Sequence, residues 1–379
     1  MRLPFSISFF ISLLMLPLSG LAAQIAPPPA LAVKAYLLRD FNSGNIIASY
    51  QKDERVEPAS LTKIMTAYLA FDAIKHGHLK LDQILPVSEK AWKTEGSKMF
   101  IEPNKPVTVD ELLHGMIIQS GNDASVTLAI GVAGSEEQFA DMMNKQAAKL
   151  GMTNTHYMNA TGLPDQNHYT TANDLAILAN ALIRDFPQEY QRLYSVKEYT
   201  YNKITQPNRN RLLWLDASVD GMKTGHTNSA GYCLIASSKR DHSRLISVVL
   251  GAASEAMRAT ESQKLLNYGF QFYESTLVYK QAQTINTLRV YKGQSKTVAG
   301  TVTKDFYLTL PKSDYARVKA SMISQQPLIA PIKAGQEIGK VRFTLDGKTI
   351  SEQKLVAATA VDEAGFFGRI PDSIRLLLQ

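Results

Sequence analysis

The spacing of apolar residues changes period several times along the chain, and each change predicts a different element. Residues 3–18 form a nearly unbroken apolar stretch. Arg2 precedes it, and the small residues Gly20, Ala22 and Ala23 follow. That order predicts a secretory signal peptide cleaved near Ala22 or Ala23. After Pro27-Pro28-Pro29, two short apolar runs flank Asn42-Ser43-Gly44, as in a β-hairpin. Over residues 59–74 the period lengthens: Leu61, Ile64, Met65, Tyr68, Leu69 and Phe71 recur at three and four, predicting a helix. Helical spacing returns over 109–119, 124–130, 136–150 and 171–183. In the last of these, Thr171 stands three residues before Asp174, as in a capping box. The run GYCLIASSKRDHSRLISVVLGA reads as a second hairpin, and 260–273 as another helix.

Beyond Glu274 the pattern shifts to short strands separated by turns: TINTLRVYKG, FYLTLPK, EIGKVRFTLDGK and TISEQKLVAAT. At the end, Phe366, Phe367, Ile370, Ile374, Leu377 and Leu378 recur at helical spacing, with Arg369 and Arg375 off the stripe and Pro371 at a start or kink. The stripe is too short to span a bilayer and suits a helix lying in a membrane interface. The expected class is α+β. A signal peptide (1–23) precedes an antiparallel sheet with helices packed on it (24–275). A small all-β domain (276–363) and an amphipathic segment (364–379) follow.

Charge sharpens this division. The 379 residues include 41 Lys+Arg and 34 Asp+Glu, a formal net charge of +7. Residues 276–379 hold 15 Lys+Arg against 8 Asp+Glu, so the whole excess lies there and the first 275 residues are formally neutral. A basic surface attracts nucleic acid, anionic lipid or acidic polymer. Export disfavours nucleic acid, which leaves lipid as the partner for the basic end with its amphipathic tail. The single cysteine, Cys233, rules out an intrachain disulfide, and the seven scattered histidines form no metal-binding pair.

Three short motifs carry chemistry. Ser60-Leu61-Thr62-Lys63 puts a hydroxyl and an amine on one face of a helix start. A serine is a weak nucleophile until a base takes its proton, and a lysine in a dry, cationic site can serve as that base. Ser120-Gly121-Asn122 lies between two predicted helices, where a hydroxyl and an amide can relay a proton and hold a substrate amide. Lys223-Thr224-Gly225 leads into the strand at 232–237. It offers a cation for a carboxylate, a hydroxyl donor, and a residue that lets a backbone approach closely. Each motif alone is non-specific. Their joint occurrence in this order, on a helix start, between helices and on a strand, is not.

With these motifs, and with stretches such as EPASLTKIMTAYLAFDAI, DGMKTGHTNSAGYCLIAS and LLNYGFQFYE, the chain resembles the low-molecular-mass penicillin-binding proteins. Within them it is similar to the serine D-Ala-D-Ala carboxypeptidases of the penicillin-binding protein 5/6 group. The resemblance runs from about residue 30 to the C-terminus. It implies the penicillin-binding-protein/β-lactamase-like fold. It implies that Ser60 is the acylated nucleophile, Lys63 its base, and Ser120 and Asn122 the groups that position substrate and shuttle a proton. Lys223, Thr224 and Gly225 would bind the substrate carboxylate and backbone. The N–H groups of His226 and Ser60 would form the oxyanion hole. Arg258 and Arg209 would assist at the carboxylate. The stretch GAASEAMR before Arg258 departs from the family pattern, and Cys233 stands where another residue is expected. The implied substrates are peptidoglycan stem pentapeptides, with β-lactams acylating the same serine and no cofactor required. The implied location is the periplasmic face of the inner membrane. A D,D-endopeptidase or transpeptidase shares all three motifs, whereas intact Ser60, Lys63 and Lys223 argue against a non-catalytic morphology protein on the same fold. A class A β-lactamase would need a deacylating Glu, which the stretch TGLPDQNHY lacks.

Overall fold

The structure, a computed structural model, describes residues 26–378, so the expected signal peptide lies outside the described residues. Five strands form one antiparallel sheet in the order Ile46–Tyr50, Ala35–Asp40, Ser243–Ala252, Gly231–Arg240, Val219–Thr227. Both expected hairpins are present. The central strands read as continuous apolar runs because both faces of the sheet are covered. Leu37, Ile235 and Val248 face one core, beneath the helices of residues 63–185. Their neighbours Leu38, Leu234 and Val249 face a second core, against the helix Glu255–Phe272.

The Lys223 motif does sit on an edge strand, Val219–Thr227, which turns directly into its partner Gly231–Arg240. Several local readings differ from expectation. Residues Ala59–Thr62 form a 3-10 turn ahead of the α-helix Lys63–Lys75. Thr171 does cap its helix, accepting from the Asp174 N–H, but the Asp174 carboxylate turns away to Asn154 N and Thr155 Oγ1. The complete capping box is at Thr108 and Glu111 instead. The helix expected over 260–273 opens earlier, at Glu255, capped by Ser254; its polar first turn hides the periodicity there. A short hairpin, Glu198–Tyr201 with Ile204–Pro207, was not expected. Asn202 and Lys203 both take positive φ at its turn, as a tight hairpin demands.

The C-terminal part is all-β, as expected. Six strands form one sheet, and Phe306–Pro311 pairs with Tyr273–Tyr279 beside it. A buried polar cluster joins this part to the first sheet. Asp40 Oδ1 accepts from Ser43 N, Ser43 Oγ and Ser275 Oγ, and Ser43 Oγ lies 2.6 Å from Thr309 Oγ1.

The helix Phe366–Leu377 closes the chain, with Pro371 inside it. Its buried residue is Asp372, whose carboxylate accepts from Lys292 N and pairs with Lys296 and Arg375. That carboxylate pins the polar side to the β-domain and turns the apolar stripe outward. Phe367 is 83% and Leu377 86% exposed. No helix among the described residues is long and apolar enough to cross a membrane.

Candidate active site

Ser60 and Lys63 lie three apart across the 3-10 turn, a spacing at which such a turn stacks its side chains. Lys63 Nζ sits 2.8 Å from Ser60 Oγ, 2.7 Å from Asn122 Oδ1 and 2.7 Å from the Thr161 carbonyl oxygen. The lysine is 1% exposed. Burial, with the nearby Arg209 charge, brings its pKa down to about 7, only partly opposed by Asp123. A neutral amine has two N–H donors and one lone pair. Asn122 Oδ1 and Thr161 O can only accept, so they take the two donors. The lone pair is left for the Ser60 hydroxyl proton, so the hydrogen-bond inventory alone makes Lys63 a base aimed at Ser60.

Asn122 opens the helix Asn122–Ala133. Both ends of its amide are engaged, since Nδ2 donates to Glu95 O at 2.6 Å. Oδ1 thereby orients the lysine, and the amide keeps a second N–H beyond these two contacts. Asp123 braces the same helix start by accepting from the N–H groups of Met99, Phe100, Ile101 and Ala124. Ser120, on the turn before, takes φ +72°, a costly conformation for a serine. Its buried Oγ has no hydrogen-bond partner among the described residues, which leaves the hydroxyl free for a reacting group.

Lys223 is 2% exposed, with Nζ only 3.2 Å from Thr224 O. Burial holds it well below the ordinary lysine range, and Lys63, Arg209 and Arg258 push the same way. A buried cation among cations gains most from an incoming carboxylate. Arg258, in the first turn of its helix, is buried. It donates to Glu255 Oε1 (3.1 Å) and to the Arg209 carbonyl oxygen (3.3 Å), and lies 5.6 Å from the Tyr232 ring. Arg209 itself is exposed, so its charge acts from the rim. Thr224 is buried beside Lys223, while the exposed His226 ring tilts over Tyr232 at 4.1 Å. Cys233 is a buried strand thiol pushed up to about 11 by burial.

Gly225 was expected to admit a substrate backbone. On its Cβ side the structure shows close packing within the protein: a Cβ there would lie 3.2 Å from Leu61 Cγ and from Pro58 O. The glycine lets the strand close on the Ser60 turn. Gly162 does the same from the other side, with φ +85° and a Cβ position 1.8 Å from Ala59 O. Replacing Gly162 by alanine should destabilise the fold by at least about 2 kcal/mol, from left-handed strain and overpacking, and slow acylation with it. Thermal unfolding beside a penicillin-labelling time course checks this.

The sequence offered no signal for three contributors. The Thr161 carbonyl is backbone and carries no residue preference. The Asp123 network depends on a loop fold. Glu136, whose Oε1 accepts from Ala160 N at 3.2 Å, comes from a separate helix, Glu136–Leu150. Among the described residues no cluster of three or more His, Cys, Asp or Glu could hold a metal ion.

Comparison with known proteins bears on the family and the fold. The profile of the D-alanyl-D-alanine carboxypeptidase family matches residues 22–254, and that of the penicillin-binding protein 5 C-terminal domain matches 273–363. The chain is 43% identical over 368 residues to the D-alanyl-D-alanine carboxypeptidase DacC of Escherichia coli, covering 95% of this chain and 92% of that one. It is 41% identical to DacA of Haemophilus influenzae, covering 93% and 91%. Its fold matches the crystal structure of penicillin binding protein 5 from Haemophilus influenzae with a TM-score of 0.87. That alignment has 42% identity and covers 89% of this chain and all of the other.

Proposed function

The chain belongs to the D-alanyl-D-alanine carboxypeptidase family, and on that premise we propose how its own residues carry out the reaction. The substrate is a peptidoglycan stem pentapeptide ending in D-Ala-D-Ala. Its terminal carboxylate enters the cationic pocket of Lys223, Arg258 and Arg209, with the Thr224 hydroxyl adding a donor. Ser60 Oγ attacks the carbonyl carbon of the penultimate D-Ala while its proton passes to Lys63 Nζ. The resulting ammonium keeps Asn122 Oδ1 and Thr161 O as acceptors. The N–H groups of Ser60 and His226 stabilise the oxyanion. As the C–N bond breaks, the free Ser120 hydroxyl relays a proton from Lys63 to the departing amine, and D-alanine leaves. Water then adds to the Ser60 ester while its proton passes to Lys63, the C–O bond to Ser60 breaks as Lys63 returns that proton to Ser60 Oγ, and the tetrapeptide is released. A β-lactam amide takes the same path to a Ser60 ester.

The observation that carries this reading is the 2.8 Å approach of a buried, weakly basic Lys63 to Ser60. The test is the rate of tetrapeptide formation from a defined pentapeptide, compared with that from the same peptide bearing a C-terminal amide. Losing the charged partner of the buried Lys223 should lower kcat/KM about a hundredfold. Equal rates on both peptides would contradict the assignment of the pocket.

We also place the enzyme on the periplasmic face of the inner membrane, held by the outward stripe of the helix Phe366–Leu377 with the basic β-domain beside anionic lipid. The domain limits proposed are 24–275 for catalysis and 276–363 for the β-domain, with 1–23 as signal peptide and 364–379 as anchor. Deleting 364–379 should move the protein from the membrane fraction to the soluble one with pentapeptide cleavage intact. Unchanged sedimentation with membranes would rule the anchor out.

A further inference from the structure

His168 belongs to none of the three motifs, yet it touches one of them. The ring is 2% exposed, and Nε2 lies 3.1 Å from the hydroxyl of Thr62, the residue before Lys63. Nδ1 is buried without a hydrogen-bond partner among the described residues. The Tyr157 ring packs edge-on against the imidazole at 5.7 Å. An orphaned N–H costs more than an orphaned lone pair, which assigns the proton to Nε2, donating to Thr62, and leaves Nδ1 bare.

This contact is one of three rungs between the same two segments. Thr62 meets His168. Lys63 donates to Thr161 O at 2.7 Å, and Thr66 Oγ1 donates to Ala160 O at 2.7 Å. Gly162 presses directly on Ala59 between them. The Thr161 carbonyl has to stay in place, because it occupies one of the two donors of neutral Lys63. If it drifts away, the lone pair is no longer confined to the Ser60 side. The His168 rung ties down the far end of the segment that carries this carbonyl.

We propose that His168 is a positioning residue for acylation: through the Thr62 hydroxyl it fixes the 159–170 segment against the Ser60 turn, which keeps the Thr161 carbonyl on Lys63. The inference rests on the reading of Lys63 as the base. A leucine would fill the same apolar space, so the polar ring contributes geometry more than packing. Burial keeps the imidazole neutral, with its pKa down to about 4, so it adds no positive charge beside Lys63.

The test uses the full chain and a fluorescent penicillin, measuring the second-order acylation rate against pH together with thermal unfolding. His168→Leu should acylate about tenfold more slowly. Its ascending limb should move up by about one pH unit, because a loosened segment admits water to Lys63 and restores basicity. His168→Gln, which can place a donor where Nε2 stood, should recover most of both changes. Thr62→Val should resemble His168→Leu, and Thr62→Ser the wild type. Should His168→Leu not fold, the Thr62 pair reads the same contact. An ascending limb that stays in place in His168→Leu and Thr62→Val, whatever the melting temperature, would overturn the proposal. So would a Gln variant no better than Leu. If the wild type is not acylated at Ser60 at all, it is the proposed mechanism that fails instead.

Discussion

Replacing Ser60 by alanine is expected to abolish both penicillin labelling and D-alanine release. The neighbouring groups do not supply a substitute. Ser120 has a free hydroxyl, but Lys63 aims its lone pair at the Ser60 position and holds Asn122 and Thr161 with its donors. Oxyanion stabilisation and carboxylate binding survive in the variant. A residual background of about a thousandfold over the uncatalysed rate is therefore consistent with the account, since such features persist when a nucleophile is removed. Relative to wild type, the loss should reach about a millionfold. The protein should remain folded and should still bind a pentapeptide, because Ser60 Oγ supports no packing that alanine lacks. Labelling on gels and amino-acid analysis of released alanine are the measurements.

Replacing Lys63 by methionine is the second large effect. Methionine keeps the length and apolar stem without a buried charge, so the fold should tolerate it better than a shorter residue. Removing a general base of this kind costs about a hundred- to ten-thousandfold in rate. The pH profile gives the sharper signature. Lys63 titrates near 7, lowered by burial and by the Arg209 charge. Below that pH the amine is protonated and has no lone pair. Above it the amine is neutral and can accept the serine proton. Wild-type acylation should therefore rise with pH through about 7 and level off above it, while the methionine variant should lack that rise. Lys223 must stay protonated to hold a carboxylate, so the wild-type rate should fall again once that group loses its charge. A methionine variant with an unchanged ascending limb would show that another group supplies the base.

Much of this site could be read from sequence because its chemistry rides on short-range spacing. Ser60 and Lys63 are one turn apart, Ser120 and Asn122 share a turn, and Lys223 begins a tripeptide on one strand. The sheet and its helices were legible for a related reason. Leu37 and Leu38 face opposite cores, so the central strand reads as a solid apolar run, while the helix Lys63–Lys75 shows its three-and-four spacing plainly. What escaped was long-range or backbone in origin. No residue type announces that the Thr161 carbonyl will reach Lys63 across a sequence separation of 98 residues. Nothing in the sequence sets His168 apart from the other scattered histidines, and only the fold brings it beside Thr62. The packing of the Ser60 turn against Gly225 could not be read either. The contacts of Asn122 with Lys63 and with Glu95 O were likewise not legible in the sequence. The helix beginning at Glu255 was placed too late because its first turn, SEAMR aside from Ala and Met, is polar and serves the site more than the core.

The tail shows a different limit. Its apolar stripe and flanking arginines could be read directly, but the device that turns the stripe outward could not. Asp372 looks like one more polar residue in the sequence. In the fold it is the buried foot of the helix, paired with Lys296 and Arg375 and bonded to Lys292 N. A basic β-domain and an exposed apolar stripe are thereby held on one body.

The central claim is that Ser60 carries the acyl group. Its most direct test is mass spectrometry of the protein quenched during turnover with penicillin, digested and sequenced through the adduct. The account predicts a single penicilloyl ester on the peptide containing Pro58-Ala59-Ser60-Leu61-Thr62-Lys63, at Ser60. An adduct at Ser120 or on a lysine, with Ser60 unmodified, would contradict it.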